Sequence, residues 1–228
     1  GKMSENERLN RLLGEIAAEE GVVVSGAEYR KFTGLSHHVH LSKQGFRFEV
    51  NDYVSAAPDD VLREYLRMIV SNLKKKRKGL PERFSNWLSS DEFIGQCRPL
   101  RIQRSRNISR STVGKHRDLG DSLDRLIDMG LVYESDIKNS YYTWSSRPNY
   151  RKMGECNLFF RIVTISNALD SENVPEAVLD YVVYHETIHL RIGYNPGKIG
   201  HGKEFKELES LYPDHKQCHA YMSKHVNK

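Results

Sequence analysis

The sequence predicts an α+β fold in two parts: a mixed, mainly helical N-terminal region over 1–115 and a C-terminal domain over 116–228. Apolar residues recur at helical spacing early in the chain, short segments of alternating or β-prone residues flank turns, and the last third contains a long apolar segment with helix-capping signals at both ends. A chain of 228 residues is long enough for one large domain or two small ones.

The N-terminal region is predicted to alternate helices with one hairpin. Residues 4–20 place four apolar side chains on one helix face, and "HHVHLSKQGFRFEV" over 37–50 alternates around a glycine-containing turn. A second helix begins near Pro58 and ends at "KKKRKG", where cations meet the negative helix end and Gly79 stops it. A brief helix at "ERFSNWLSS" and a brief strand at "PLRIQ" follow, and 104–117 has so little periodicity that it is predicted to be a linker.

The C-terminal domain is predicted to place two strands before a long helix. A helix over 118–129 comes first, and the strands are "SYYTWS" at 140–145 and "LFFRIVTIS" at 158–166. The long helix is capped by Asn173, has Pro175 in its first turn and ends at Gly193. A shorter helix follows over about 202–211.

Charge is distributed unevenly along the chain. The formal net charge is +5, but residues 74–117 contain thirteen Lys or Arg and three acidic residues, a local net charge of +10. Such a segment favours a polyanionic partner, here DNA, although a solvated surface explains it equally well. The candidate nucleic-acid contacts are Lys74, Lys75, Lys76, Arg77, Lys78, Arg101, Arg104, Arg106 and Arg110.

Cysteine usage and hydropathy indicate the cellular setting. Cys97, Cys156 and Cys218 are odd in number and widely spaced, so a disulfide framework is not expected. No run of about 18 apolar residues predicts a membrane span, and the first residues lack the apolar core of a signal peptide. A reducing, cytoplasmic location and the absence of a membrane partner are expected.

The stretch "YVVYHETIHLRIG" over 181–193 carries two histidines and a glutamate in an apolar surround. Residues i and i+4 lie one above the other on a helix, so His185 and His189 can direct their imidazoles to one metal ion. Glu186 is one position further round and can hold a water molecule at that ion. This H-E-x-x-H pattern supplies two zinc ligands and a general base, and zinc lowers the pKa of a bound water to about 7.

A catalytic zinc needs a third protein ligand and an open fourth position. The metzincin spacing would place a histidine six residues after His189, but Asn195 is there, which excludes that class. His201, at the start of "HGKEFKEL", is the favoured third ligand, and the alternatives are Glu204, Glu207 and Glu209. The histidines of "HKQCH", His215 and His219, are interpreted as surface residues.

Together these motifs resemble those of the SprT-like metallopeptidases, which include the Spartan proteases, and of the related YgjP-like and minigluzincin proteins. The resemblance covers about 118–215: "YVVYHETIHL" with "HGKEFKELESLYP", the helix "DLGDSLDRLIDMGLV", and a strand with an Arg-x-Gly-x-Cys-like signature near Arg151, Gly154 and Cys156. It implies that His185, His189 and His201 bind Zn²⁺ and that Glu186 is the base.

The same resemblance implies a small zincin-like fold, in which an active-site helix packs on a short antiparallel sheet. An edge strand of that sheet would pair with an extended peptide, and 158–166 is the candidate edge. The implied function is a zinc metalloendopeptidase of the HExxH type that acts on a protein or peptide substrate.

Two further functional hypotheses stay open at this point. In the first, the chain is a nucleic-acid-binding or regulatory protein whose metal site is structural or inactive. In the second, the chain is a latent protease whose cleft is covered by the N-terminal half or by the tail after Tyr212.

Overall fold

A computed structural model describes residues 3–76, 79–195 and 200–225 of the chain. The chain divides into two compact units, Gly1–Arg104 (unit 1) and Ser105–Lys228 (unit 2). The architecture is α+β, as predicted, and each unit contains a three-stranded sheet among its described residues. Within the described ranges, no helix is both long and apolar enough to span a membrane.

In its described residues, unit 1 consists of four α-helices and a small three-stranded sheet. The elements are α1 (Glu5–Glu20), β1 (Val24–Arg30), β2 (His37–Ser42), β3 (Gly45–Asn51), α2 (Asp59–Leu73), α3 (Glu82–Leu88) and α4 (Asp91–Arg104). The central strand is β3, which pairs in parallel with β1 and antiparallel with β2. The predicted hairpin and the three predicted helices of this region are therefore present.

Helix α1 illustrates how local sequence sets an element. Ser4 and Glu7 form a reciprocal capping box, in which each side chain accepts a hydrogen bond from the other residue's backbone N–H. The helix ends at Gly21, whose φ of 68° is readily adopted only without a side chain. Between these caps, the predicted apolar face is fully buried and consists of Leu9, Leu12, Leu13 and Ile16.

Two elements of unit 1 differ from the prediction. Strand β1 was not predicted, because its residues are mostly half-buried and show no clean alternation. The brief strand predicted at "PLRIQ" is wrong: these residues form the last turns of α4, which continues through Pro99. The helix persists because its earlier residues Phe93, Ile94 and Cys97 are buried in the core of unit 1.

Unit 2 assembles around one long helix. Its elements are α5 (Leu119–Asp128), α6 (Glu134–Ile137), β4 (Tyr141–Trp144), β5 (Gly154–Asn157), β6 (Ile162–Ile165), α7 (Glu176–Ile192), α8 (Lys203–Ser210) and α9 (His215–His225). Helix α7 begins after Pro175, which takes the N-cap position that the sequence assigned to Asn173, and it ends at Gly193 as predicted. Helix α9 was not predicted and contains His215 and His219; His219 is exposed, as predicted, and His215 is half-buried.

The sheet of unit 2 is mixed, which corrects the predicted antiparallel sheet. Strand β6 lies at the centre, parallel to β4 and antiparallel to β5. The segment 158–166 therefore contains the central strand and not the edge strand. Strand β5 is only four residues long and lies next to a loop, so its residues show no recognisable alternation of apolar and polar side chains. The edge strand was therefore not predicted at this position.

Residues 105–117 of the predicted linker over 104–117 belong to unit 2, so the division falls at 104/105 instead of 115/116. The backbone N–H of Ser109 donates to the carbonyl oxygen of Trp144 on β4, and the N–H of Trp144 donates to the carbonyl oxygen of Ser111. The carboxylate of Asp170 accepts three hydrogen bonds, at 2.7–2.9 Å, from the backbone N–H groups of residues 115–117. A Cβ at Gly114 would lie 2.4 Å from this carboxylate, so glycine is required there. These bonds join distant parts of the chain and leave no periodic signal in the sequence.

Replacement of Asp170 by Ala tests whether this carboxylate fastens the segment to unit 2. Charge-assisted hydrogen bonds contribute about 1.5–3 kcal/mol each, and solvent will replace some of those lost, so we expect the free energy of unfolding to fall by about 2–3 kcal/mol. Urea denaturation measures the change, and Glu172→Ala is the matched control because its side chain is 84% exposed. Equal stabilities of the two variants would contradict this role.

Candidate metal centre

Helix α7 brings the first two predicted ligands together. His185 and His189 lie one turn apart on the same face, with ring centroids separated by 5.4 Å. The rest of α7 is mostly buried in the core of unit 2, so this face is the part of the helix that borders a cavity.

His201 completes the group from the segment that precedes α8. Its Nε2 lies 3.2 Å from Nε2 of His189, and its ring centroid lies 5.0 Å from that of His185. Two ligands of a tetrahedral zinc, each ~2.0–2.1 Å from the ion, are about 3.3–3.5 Å apart. Ligand atoms of the three histidines all lie within 4.8 Å of one another. The three predicted ligands therefore converge on a single point.

Of the three glutamates that the sequence left as alternatives, only one contacts a histidine of the group. Glu209 accepts a hydrogen bond at 2.7 Å from Nδ1 of His185. Glu207 approaches Lys203 at 4.0 Å on the outside of α8, and Glu204 lies at the cavity edge. These placements favour His201 as the third ligand and give Glu209 a different task.

Glu209 fixes the orientation and the tautomer of His185. When Nδ1–H donates to a carboxylate, the Nε2 lone pair is left to bind a metal, and the carboxylate increases the basicity of the ring. The support of His185 by Glu209 was not predicted from the sequence. The available signal was the i, i+4 spacing of Phe205 and Glu209, which places both on the face of α8 that packs against α7.

Phe205 forms the apolar floor under the three imidazoles. Its ring centroid lies 4.8 Å from that of His185, 4.6 Å from His189 and 4.5 Å from His201. The side chain is 2% exposed, so it restricts the rotamers of all three rings.

Glu186 lies beside this group in a strongly desolvated position. The residue is 6% exposed, and none of the described residues donates a hydrogen bond to its carboxylate. Burial raises the pKa of Glu186 to about 7; Glu155 adds to the rise and Lys152 opposes it. Such a carboxyl can exchange a proton near neutral pH.

Gly154 on β5 provides the space that Glu186 occupies. A Cβ at this position would lie 2.8 Å from Cγ and 2.9 Å from Oε1 of Glu186. The glycine is part of the Arg-x-Gly-x-Cys-like signature seen in the sequence, and its absent side chain lets the strand approach α7 closely.

The imidazoles of α7 are held in the neutral form that binds metals. Burial lowers the pKa of His189 to about 4, and the neighbouring His185 and His201 lower it further. Burial also lowers the pKa of His185, although the carboxylate of Glu209 opposes this shift. Neutral imidazole offers a lone pair to a cation, so these residues fit zinc in donor type, spacing and charge.

The group opens onto a cavity of about 770 Å³. Besides the histidines and Glu186, its walls include Lys152, Cys156, Leu158 and Tyr194. This volume lies in the range of clefts that enclose small molecules or short peptide segments. No residue of His215–His225 lines the cavity, so the described part of the tail after Tyr212 leaves the cleft uncovered.

The candidate nucleic-acid contacts are divided between unit 1 and unit 2. Arg104 is 15% exposed and makes two hydrogen bonds of 2.7 Å to Asp52, so it is a structural residue instead of an available cation. Lys74 bonds to the backbone oxygen and carboxylate of Glu20. The remaining candidates have various settings: Lys75, Lys76, Arg106 and Arg110 are exposed, Arg101 is half-buried, and Arg77 and Lys78 lie outside the described residues.

Comparison of the chain with protein-family models, curated proteins and solved structures finds no match in any of the three. The resemblance to SprT-like metallopeptidases therefore stays a prediction that rests on the motifs themselves.

Replacement of Glu209 by Ala tests the support that this residue gives to His185. Loss of such a hydrogen-bond partner typically lowers metal affinity by about 10–100-fold, and we expect a decrease of this size in zinc affinity. Competition with a chromophoric chelator measures it. Glu207→Ala is the control, because this residue lies on the same helix and its side chain is 67% exposed. Equal zinc affinities of the two variants would show that Glu209 has no supporting role.

Proposed function

We propose that the chain is a zinc-dependent endopeptidase whose centre is His185, His189 and His201 with Glu186 as general base. The observation that carries the proposal is the convergence of three imidazoles beside a buried carboxylate at the wall of one cavity. Three imidazole ligands and an open side are the arrangement expected of a hydrolytic zinc site.

Each residue of the proposed centre would have a separate role in peptide hydrolysis. A zinc ion bound by the three imidazoles would act as a Lewis acid toward a water molecule and toward the scissile carbonyl. Glu186 would take the proton of the attacking water and pass it to the leaving nitrogen. Glu209 and Phe205 would keep the imidazoles in place, since one fixes a tautomer and the other restricts ring rotation.

Strand β5 is the proposed docking edge for the substrate. Among the described residues it pairs with β6 alone, and Gly154, Glu155 and Cys156 line the cavity next to Glu186. An extended peptide can add to a free edge through main-chain hydrogen bonds, which would place its backbone across the centre. This assignment replaces the segment 158–166, which the sequence analysis had favoured.

Three parts of the sequence-based hypotheses stay predictions. For the DNA partner, Arg104 and Lys74 are already paired within unit 1, whereas Lys75, Lys76, Arg106 and Arg110 are exposed. A cytoplasmic setting agrees with the three free cysteines but rests on that feature alone. Latency imposed by the N-terminal half likewise has no structural observation in support.

Replacement of Glu186 by Gln is the decisive experiment. The amide keeps the shape of the side chain but cannot accept a proton, so we expect zinc content to be retained and peptide cleavage to fall by about 10²–10⁴-fold. Zinc is counted by atomic emission, and cleavage is measured with casein and a fluorogenic peptide library. Glu204→Gln, at the edge of the same cavity, is the control and should keep most of the activity.

Two outcomes would contradict the proposal. Undiminished cleavage by Glu186→Gln would remove the assigned base. A zinc-loaded parent protein that cleaves no substrate tested would favour the alternative, a binding or regulatory protein with a structural or inactive metal site.

A further inference from the structure

A second group of metal-binding side chains lies in unit 1, on the sheet formed by β1, β2 and β3. His38 and His40 on β2 and Glu49 on β3 present ligand atoms that all lie within 4.8 Å of one another. These histidines belong to the run "HHVH" over 37–40, which has no role in the proposed peptidase.

Strand geometry explains why these three residues meet. Side chains alternate between the faces of a strand, so His38 and His40 point to the same face. Glu49 is directly opposite His38 in the antiparallel register of β2 and β3. His37 points to the other face, where its Nδ1 lies 3.3 Å from the hydroxyl of Tyr65, and it is therefore not part of the group.

Arg30 prepares the carboxylate of Glu49 for a ligand. Its guanidinium lies 3.1 Å from Oε2 of Glu49, and the other oxygen, Oε1, lies 3.2 Å from Nε2 of His40. The carboxylate is thus held by one oxygen while the second faces the histidines. The side chain of Glu49 is only 16% exposed, which further limits its movement.

The neighbouring charges are balanced by other groups. Arg47, the residue opposite His40, is 2.6 Å from the carboxylate of Glu28. Its positive charge is therefore already compensated on the same sheet face. The edge-on packing of the His38 ring against Phe32, with centroids 5.0 Å apart, gives this imidazole a defined position.

We propose that His38, His40 and Glu49 bind a divalent transition-metal ion of the zinc class. Two imidazoles and a carboxylate are donors suited to Zn²⁺, and the exposed side of the site leaves the remaining positions to water. Binding needs only small rotations of the side chains. Ligands of tetrahedral zinc are about 3.3–3.5 Å apart, and Nε2 of His40 already lies 3.2 Å from Oε1 of Glu49. The ion would link β2 to β3, and the site does not depend on the proposed peptidase centre.

Zinc counting on the full-length protein tests the proposal. At low-micromolar free zinc, equilibrium dialysis should find two equivalents on the parent chain and one on a His38→Asn/His40→Asn variant. His116→Asn should keep both equivalents. It is a matched control, because His116 also lies beside a carboxylate, 3.7 Å from Glu172, but no third ligand from the described part of the chain joins this pair.

A His185→Asn/His189→Asn variant separates the two sites. It should keep one equivalent, and if it binds none, the sheet site does not exist. A His38→Asn/His40→Asn variant that binds as much zinc as the parent would overturn the proposal as well. If instead the His185→Asn/His189→Asn variant binds as much as the parent while the sheet variant loses one equivalent, the peptidase centre fails and the sheet site stands.

A measurement on the unmodified chain guards against misfolding of the variants. In long-range ¹H–¹⁵N spectra, zinc should shift the imidazole resonances of His38 and His40 and leave those of His116 unchanged. Absence of a shift at His38 and His40 under saturating zinc would overturn the proposal.

Discussion

Helix α7 is buried along most of its length, so each polar side chain that it places inside unit 2 needs a hydrogen-bond or ion-pair partner. Asp180 is 4% exposed and receives the guanidinium of Arg125 at 2.7 Å. Thr187 is 1% exposed and contacts the hydroxyl of Tyr142 at 2.6 Å. Unpaired polar groups in such surroundings cost several kcal/mol, so these contacts decide which elements pack around α7 and in what orientation.

The polar groups of the candidate metal centre need partners as well, but the described residues do not supply a partner for each of them. His185 has a carboxylate partner in Glu209, but Nε2 of His189 and Nε2 of His201 face each other, and Glu186 has no donor among the described residues. Groups arranged in this way are poorly compensated by the protein alone. The cation with affinity for imidazole that we propose would satisfy them.

Glycine positions show how closely the elements of unit 2 approach one another. Gly154 lets β5 lie against the carboxylate of Glu186, and Gly114 lets a loop surround the carboxylate of Asp170. In both places a Cβ would come within 3 Å of a side chain of another segment. The loop and the edge strand therefore owe their positions to tertiary contacts that only glycine permits.

Helix periodicity, caps and i, i+4 spacing are local properties, and they were enough to predict the α+β class, the end of α7 at Gly193 and the placement of His185 and His189 on one helix face. The tertiary structure was needed to show that His201 lies with these two histidines, that β6 is central, that β5 is the edge, and that Glu209 serves His185. Those facts depend on contacts between segments distant in the chain. Short strands such as β5, only four residues long, carry too little pattern to specify their neighbours.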